Sequence, residues 1–89
     1  MYDVQSGDSL YRVTLYEVYT GEGPVTIKLQ EALTESVYKF TAVPCNHMVE
    51  AEEQYVGRGS SEEEALNLCL RKIRNVPVSQ LFYITNAGG

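Results

Sequence analysis

The stretch GRGSSEEEALNLCLRKIRN, residues 57–75, decides the fold because it carries the signals of an amphipathic helix with a marked start. Ser60 or Ser61 supplies the N-cap, and Glu63 or Glu64, three residues further on, completes a capping box. The glutamates lie near the positive end of the helix dipole, and the basic side chains lie near its negative end. The sequence therefore predicts a helix that begins directly after the serines.

The end of this helix is marked as well as its start. Asn75 closes the helix, and Pro77 prevents its continuation. One stripe at helical spacing is apolar. It consists of Ala65, Leu66, Cys69, Leu70 and Ile73. We expect this stripe to lie across the inner face of a sheet.

Four stretches before the helix have the composition of strands, rich in β-branched and aromatic residues. They are residues 10–20, 25–31, 36–43 and 49–56. The turn residues 21–24 predict an antiparallel hairpin between the first two. Pro44 is expected to end the third strand and Gly57–Gly59 to break the fourth.

Alternation along the strands predicts which side chains face the core. The second strand shows it most cleanly, with Val25, Ile27 and Leu29 on one face. On the neighbouring strands we expect the core face to carry Tyr11, Val13 and Leu15, and Tyr38, Phe40 and Ala42. The opposite face of the sheet is then expected to carry Arg12, Thr14, Tyr16, Thr26, Lys28 and Lys39.

These elements follow the order β-β-β-β-α and predict an α+β fold. It is a two-layer sandwich with one helix packed on an antiparallel sheet of three to five strands. Residues 78–84 form either a final strand or a tail packed on the sheet. We expect a single domain over residues 10–85, a flexible arm at 1–9 and a flexible Gly-Gly tail at 86–89.

The junction Gly59-x-Ser61-x-Glu63-Glu64-Ala65 resembles the strand-to-helix junction of HicB-type antitoxin domains. Those domains also place several strands before a helix. The resemblance covers only residues 59–65 of the 89-residue chain. It implies the strand-then-helix order and no function.

Length and composition exclude several classes of protein. The chain has 89 residues, a formal net charge of −5 and 44% apolar residues, enough for one modest core. A TIM barrel or a dinucleotide-binding Rossmann domain does not fit this length. No run approaches the ~18 apolar residues of a membrane helix, and the polar start lacks the pattern of a secretory signal. We therefore expect a cytoplasmic protein with Cys45 and Cys69 as reduced thiols.

The pair Cys45 and His47 contains residue types that bind zinc or perform nucleophilic catalysis. A structural zinc site needs four ligands, and the other thiol, Cys69, lies on the apolar stripe of the helix. As nucleophile and base, Cys45 and His47 are too close in sequence to orient easily, and no third group is evident. We expect no metal site, no cofactor and no catalytic residue, so the chain is predicted not to be an enzyme.

Six of the twelve acidic residues lie between Glu50 and Glu64. Three of them are explained as residues of the helix start. The others, Glu50, Glu52 and Glu53, do not match the ligand spacing of a calcium loop. We interpret these three as a solubilising sheet edge or as an acidic surface for a basic protein partner.

Seven tyrosines supply side chains that are well suited to protein interfaces. Tyr16 and Tyr38 are the candidates that we place on such a surface. Aromatic residues on a sheet also occur in single-stranded nucleic-acid platforms, but the net negative charge argues against phosphate binding.

The leading hypothesis is a small non-enzymatic protein-interaction domain that acts through an exposed sheet face or an acidic edge. Its candidate residues are Glu50, Glu52, Glu53, Tyr16 and Tyr38. One alternative is an acidic inhibitor, of the kind carried by phages and mobile elements, that blocks a nucleic-acid-binding protein. Others are a carrier that uses Gly88-Gly89, as ubiquitin-like modifiers do, and a sheet-face binder of single-stranded nucleic acid. Homodimerisation is a further hypothesis, because an open sheet edge invites pairing.

Overall fold

A computed structural model describes residues 2–46 and 49–82. Within them lie five strands and two helices. The strands are β1 (Tyr11–Thr20), β2 (Gly23–Ala32), β3 (Phe40–Asn46), β4 (Val49–Glu50) and β5 (Gly57–Gly59). The helices are α1 (Glu62–Ile73) and the short α2 (Val78–Leu81), and one turn of 3-10 helix covers Glu53–Tyr55. The predicted class is confirmed: the fold is α+β, with one long helix packed on an antiparallel sheet.

The sheet is antiparallel throughout. β1, β2 and β3 pair in sequence order. β4 and β5 both pair with β3 on the side away from β2, β4 near the end of β3 and β5 near its start. One edge of the sheet is therefore the ten-residue strand β1, and the other edge consists of two strands of two and three residues.

The core lies between the sheet and α1. It contains Val25, Ile27 and Leu29 from β2, Ala42 from β3, and Ala65, Cys69 and Ile73 from α1. Leu66 and Leu70 are partly buried against this core, so the predicted apolar stripe of the helix is confirmed. We call the sheet face that α1 covers the inner face, and the opposite one the outer face.

Both predicted ends of α1 are found, and the structure selects one of the two candidate caps. The Ser61 hydroxyl accepts a hydrogen bond from the Glu64 amide at 3.1 Å, which satisfies one of the free N–H groups of the first turn. The Ser60 hydroxyl instead lies 3.4 Å from the Glu64 carboxylate. At the other end Asn75 adopts a left-handed conformation with φ 64°, which turns the chain out of the helix.

The predicted core face of β1 is wrong. Tyr11, Val13 and Leu15 lie on the outer face and are exposed, whereas Tyr16 and Val18 pack against the core. The register explains the difference. Thr20 pairs with Gly23, which places Tyr16 opposite Ile27 and Val18 opposite Val25. Directly opposed residues of an antiparallel pair share a face, so the buried face of β2 dictates that of β1.

The third strand begins and ends later than expected. Phe40 and Ala42 face inward as predicted, but Tyr38 precedes β3 and is exposed. Pro44 lies within the strand instead of ending it. Its carbonyl accepts a hydrogen bond from the Ala51 amide at 2.8 Å, on the side away from β2. The missing N–H of Pro44 faces that same side, so the pairing of β3 with β2 loses no donor.

The predicted fourth strand is wrong over most of its length. Only Val49–Glu50 is a strand, and a 3-10 turn follows. Gly57–Gly59, expected to break a strand, instead forms β5 against Phe40–Ala42. A glycine is required here because α1 lies directly on the backbone of β5: a Cβ atom at Gly57 would lie 2.5 Å from the Cys69 amide nitrogen.

Residues 78–84 are predicted to form either a strand or a tail packed on the sheet, and the described part of this segment is helical. Val78–Leu81 is a single helical turn, and Leu81 is buried in the core. The prediction of a packed tail is thus right for these residues, and that of a strand is wrong. Residues 83–89, with the Gly-Gly tail, lie outside the described residues. The flexibility of residues 1–9 stays a prediction.

Replacing Gly57 with alanine tests the contact between α1 and β5. The new methyl group would overlap backbone atoms of Ala65 and Cys69, which cannot move aside without shifting the helix. We expect the free energy of unfolding, measured by urea denaturation, to fall by about 2–3 kcal/mol. The matched control is Gly21→Ala. A Cβ atom at Gly21 would meet no other atom within 4 Å, so this change should alter stability by less than about 0.5 kcal/mol. Equal effects of the two substitutions would contradict this packing.

Candidate interaction surface on the outer sheet face

Large apolar side chains line the outer face of β1. Their exposed fractions are 44% for Tyr11, 50% for Val13, 65% for Leu15 and 77% for Tyr19. They alternate along one strand, so they point to the same side of the sheet. We call these four residues the β1 patch. None of them was among the predicted site residues.

The neighbouring strand does not cover the β1 patch. On β2 the residues directly opposite Val13, Leu15 and Tyr19 are Gln30, Lys28 and Pro24. Each of these is itself partly or fully exposed. The β1 patch therefore stays accessible, while its strand is held by ten consecutive residue pairs with β2.

Glu17 is the charged residue within the row of the β1 patch. The Tyr19 hydroxyl donates a hydrogen bond to its carboxylate, and this bond raises the pKa of Tyr19. The Tyr19 ring itself stays exposed, which leaves its apolar surface available to a partner.

Among residues 2–46 and 49–82, β1 pairs only with β2, so its other backbone edge is free within the described part of the chain. The Leu33 amide donates to the Leu10 carbonyl at 2.8 Å, just beyond the paired segment. Hydrogen-bonded pairs alternate in an antiparallel ladder, so the even-numbered residues of β1 are those that bond to β2. The N–H and C=O groups of its odd-numbered residues point to the free edge. These odd-numbered residues carry the β1 patch.

The predicted acidic edge is partly neutralised within the chain. Lys28 donates to the Glu50 carboxylate, and Arg58 donates to that of Glu53. The bond from Arg58 holds the pKa of Glu53 below its usual value. Glu52 is exposed. Two of the three carboxylates thus have a basic partner in the fold, which reduces the charge available to a basic protein.

The two predicted tyrosines lie away from the β1 patch. Tyr16 is on the inner face, and its hydroxyl donates to the Glu62 carboxylate at the start of α1, which raises the pKa of Tyr16. Tyr38 lies in the loop between β2 and β3, where it lines an open groove of about 410 Å³ with Val37 and Glu64. The expectation that Tyr16 faces away from the helix is wrong.

The cations expected on the face opposite the helix, which a nucleic-acid binder would need together, do not form one patch. Arg12 lies on the inner face and Lys28 on the outer face. Arg12 and Lys39 both contact the Glu31 carboxylate, at 3.2 and 3.7 Å, and Lys28 contacts Glu50. The prediction that Arg12 and Lys28 share the face opposite the helix is therefore wrong.

The two thiols lie on opposite faces of the sheet. Cys45 is half-buried on the outer face, and Cys69 is fully buried between α1 and the inner face. Burial raises the pKa of both thiols, that of Cys69 to about 11. His47 lies outside the described residues. Within residues 2–46 and 49–82, no cluster of three or more His, Cys, Asp and Glu side chains is arranged to hold a metal ion.

Comparison of the chain with known protein families, with curated proteins and with solved structures gave no match. In the described part of the chain, no helix has the length and apolar character needed to cross a membrane.

The sequence prediction assigned three residues of the β1 patch, Tyr11, Val13 and Leu15, to the core because they are apolar. The signal that could have corrected this is the short turn at residues 21–22. With a two-residue connection, Thr20 must pair with Gly23, and the clean alternation of β2 then buries the even-numbered face of β1.

The buried Cys69 thiol predicts a loss of stability at high pH. Its pKa rises from 9.0 to about 11 on folding, so the folded chain keeps a proton that the unfolded chain releases between these values. Unfolding becomes easier as the pH rises through this interval. We expect the free energy of unfolding to fall more steeply from pH 8 to pH 10.5 in the wild type than in Cys69→Ala, as measured by urea denaturation. Parallel profiles of the two proteins would contradict the predicted ionisation of Cys69.

Proposed function

We propose that the chain is a non-enzymatic protein-interaction domain that binds its partner through the outer face of the sheet. The observation that carries this proposal is the β1 patch. Four large apolar side chains stand exposed on one face of one strand, and exposed apolar patches on folded proteins often mark binding sites. The sequence predicts an exposed sheet face or an acidic edge as the interaction surface, and we place the contact on the sheet face, at Tyr11, Val13, Leu15 and Tyr19.

The size of the β1 patch supports a binding role. With about 200 Å² for a tyrosine and about 100 Å² for a leucine or valine side chain, the patch exposes roughly 350 Å². This area lies within the ~300–600 Å² of the largest patches on monomeric proteins, which are often functional. Its two tyrosines add side chains that bury much area at low entropic cost.

The acidic edge supports a binding role less well. Glu50 and Glu53 already contact Lys28 and Arg58, so a basic partner would have to replace an existing ion pair at each. The acidic-inhibitor hypothesis depends on these carboxylates and is weaker for that reason. The carrier hypothesis depends on Gly88-Gly89, which lies outside the described residues. The nucleic-acid hypothesis loses the shared cationic face that it needs.

We further propose that the domain works in a reducing compartment, as expected of a cytoplasmic protein. Cys45 and Cys69 are both free thiols on opposite sides of the sheet, so the fold cannot join them in an internal disulfide. A second copy of the chain is one partner that the β1 patch can accept.

Substitution on the outer face tests the proposed function. We expect Leu15→Asp to weaken binding to a partner identified in the native host by at least tenfold, because the aspartate places an unpaired charge in the contact. The affinity is measured with both purified proteins by calorimetry. Leu15 is 65% exposed, so the variant should keep the circular dichroism spectrum of the wild type.

The matched control is Val37→Asp. Val37 is apolar and 91% exposed but lies in the loop between β2 and β3, away from the β1 patch. It should leave the affinity unchanged. Equal affinities of Leu15→Asp and the wild type would sink the proposal.

A further inference from the structure

We propose that two copies of the chain pair through the free edges of β1, antiparallel and with Leu15 on the twofold axis. The two sheets then form one continuous sheet, and the two β1 patches lie side by side on its outer face. This inference rests on the proposed function, because it names how the interaction surface is completed.

The β1 edge carries few of the features that normally prevent sheets from pairing. Its charged side chains are Arg12, which is paired with Glu31, and Glu17. Edge strands are usually short, or carry proline, lysine or a bulge. β1 has ten residues, pairs without interruption with β2, and contains neither proline nor lysine. The opposite edge consists of the short strands β4 and β5, which offer much less backbone to a partner.

The direction of the free backbone groups determines which faces meet. Only the odd-numbered residues of β1 direct N–H and C=O groups to the free edge, as the bond from Leu33 to Leu10 shows. An odd-numbered residue of one copy must therefore pair with an odd-numbered residue of the other. Paired residues of antiparallel strands share a face, so outer face joins outer face. The twofold axis is then perpendicular to the sheet.

One register uses all the free groups. β1 has five odd-numbered residues with Leu15 at the centre, so pairing about Leu15 engages all of them and forms about ten hydrogen bonds. The pairs across the junction are Tyr11 with Tyr19, Val13 with Glu17, and Leu15 with Leu15. A shift by two residues leaves groups at each end without a partner.

The side chains fit this register. Each end of the junction places Tyr11 beside Tyr19, a cross-strand aromatic pair that is favourable in sheets. The two Glu17 carboxylates stand four residues apart along the strand direction, about 13 Å. That separation exceeds the Debye length of about 10 Å at 0.1 M salt, so their repulsion is screened. Each chain carries a net charge of −5, so added salt should strengthen the dimer.

Pairing also enlarges the binding surface to a useful size. One β1 patch exposes roughly 350 Å², less than the ~800 Å² that each partner buries in a standard interface. Two patches side by side offer at most about 700 Å², close to that area. The dimer thus presents a contact area that a single copy does not reach with these side chains.

A proline at the axis tests the pairing. We measure sedimentation at about 100 µM, so that a dimer with a dissociation constant of about 1 µM would be almost fully formed. The wild type should then have twice the 10.0 kDa mass of the chain. Leu15→Pro should be monomeric yet folded, because the lost N–H points to the free edge. The matched variant Thr14→Pro removes an N–H that bonds to β2, so it should be less stable than Leu15→Pro. A monomeric wild type, or a dimer that persists in Leu15→Pro, would overturn the inference.

Cysteine cross-linking tests the register, with Cys45→Ser as the background. Two Leu15→Cys chains would place their Cα atoms about 5.5 Å apart, within reach of a disulfide. Val13→Cys should cross-link poorly, since the two copies of residue 13 stand about 13 Å apart. Tyr11→Cys and Tyr19→Cys should cross-link when mixed and not separately. Cross-linking of Val13→Cys as efficient as that of Leu15→Cys would contradict the register.

The two proposals can fail separately. If the wild type is a monomer but Leu15→Asp abolishes partner binding, the dimer is wrong and the interaction surface stands. If Leu15→Pro prevents dimerisation and the partner binds Leu15→Asp with wild-type affinity, the dimer stands and the proposed function of the outer face is wrong.

Discussion

The two-residue connection between β1 and β2 is the constraint on which the rest of the structure depends. It forces Thr20 to pair with Gly23 and so sets every cross-strand pair of the hairpin. The apolar row of β2 must face α1, because this row supplies the centre of the core. A slip of one residue would move Val13 and Leu15 inward and Tyr16 and Val18 outward. The exposed β1 patch is thus a consequence of turn geometry.

The position of α1 completes this arrangement. Because Gly57 and Gly59 lack side chains, the helix approaches the backbone of β5 closely and lies over β5 and β3. It reaches β2 much less, and β1 is left at the far edge of the sheet. The helix therefore covers the inner face mainly over β3 and β5. The outer face and the backbone edge of β1 remain open together, on the same five odd-numbered residues.

Part of the acidic charge is used within the fold, which reduces what the net charge of −5 says about partners. Glu31, Glu50 and Glu53 each contact a basic side chain. The Glu62 carboxylate accepts a bond from the Tyr16 hydroxyl, and the Glu64 carboxylate lies 3.4 Å from the Ser60 hydroxyl. Exposed ion pairs of this kind contribute little stability individually, about 0–1 kcal/mol. Because these carboxylates are already engaged, the exposed apolar side chains of β1 are the distinctive feature of the surface.

The sequence by itself determined α1 with its approximate ends and apolar stripe, the first hairpin, and the α+β class, because these features follow from local spacing and residue type. The choice of Ser61 over Ser60 as the N-cap came from the structure. Only the tertiary structure decided the buried face of β1, since the pairing with β2 buries the face with fewer apolar residues and leaves the more apolar one exposed. It also made a strand of Gly57–Gly59, because the close approach of α1 requires glycine there. The candidate surface was not predicted from the sequence, because apolar residues are assigned to the core until the strand register and the position of the helix show that they lie outside it.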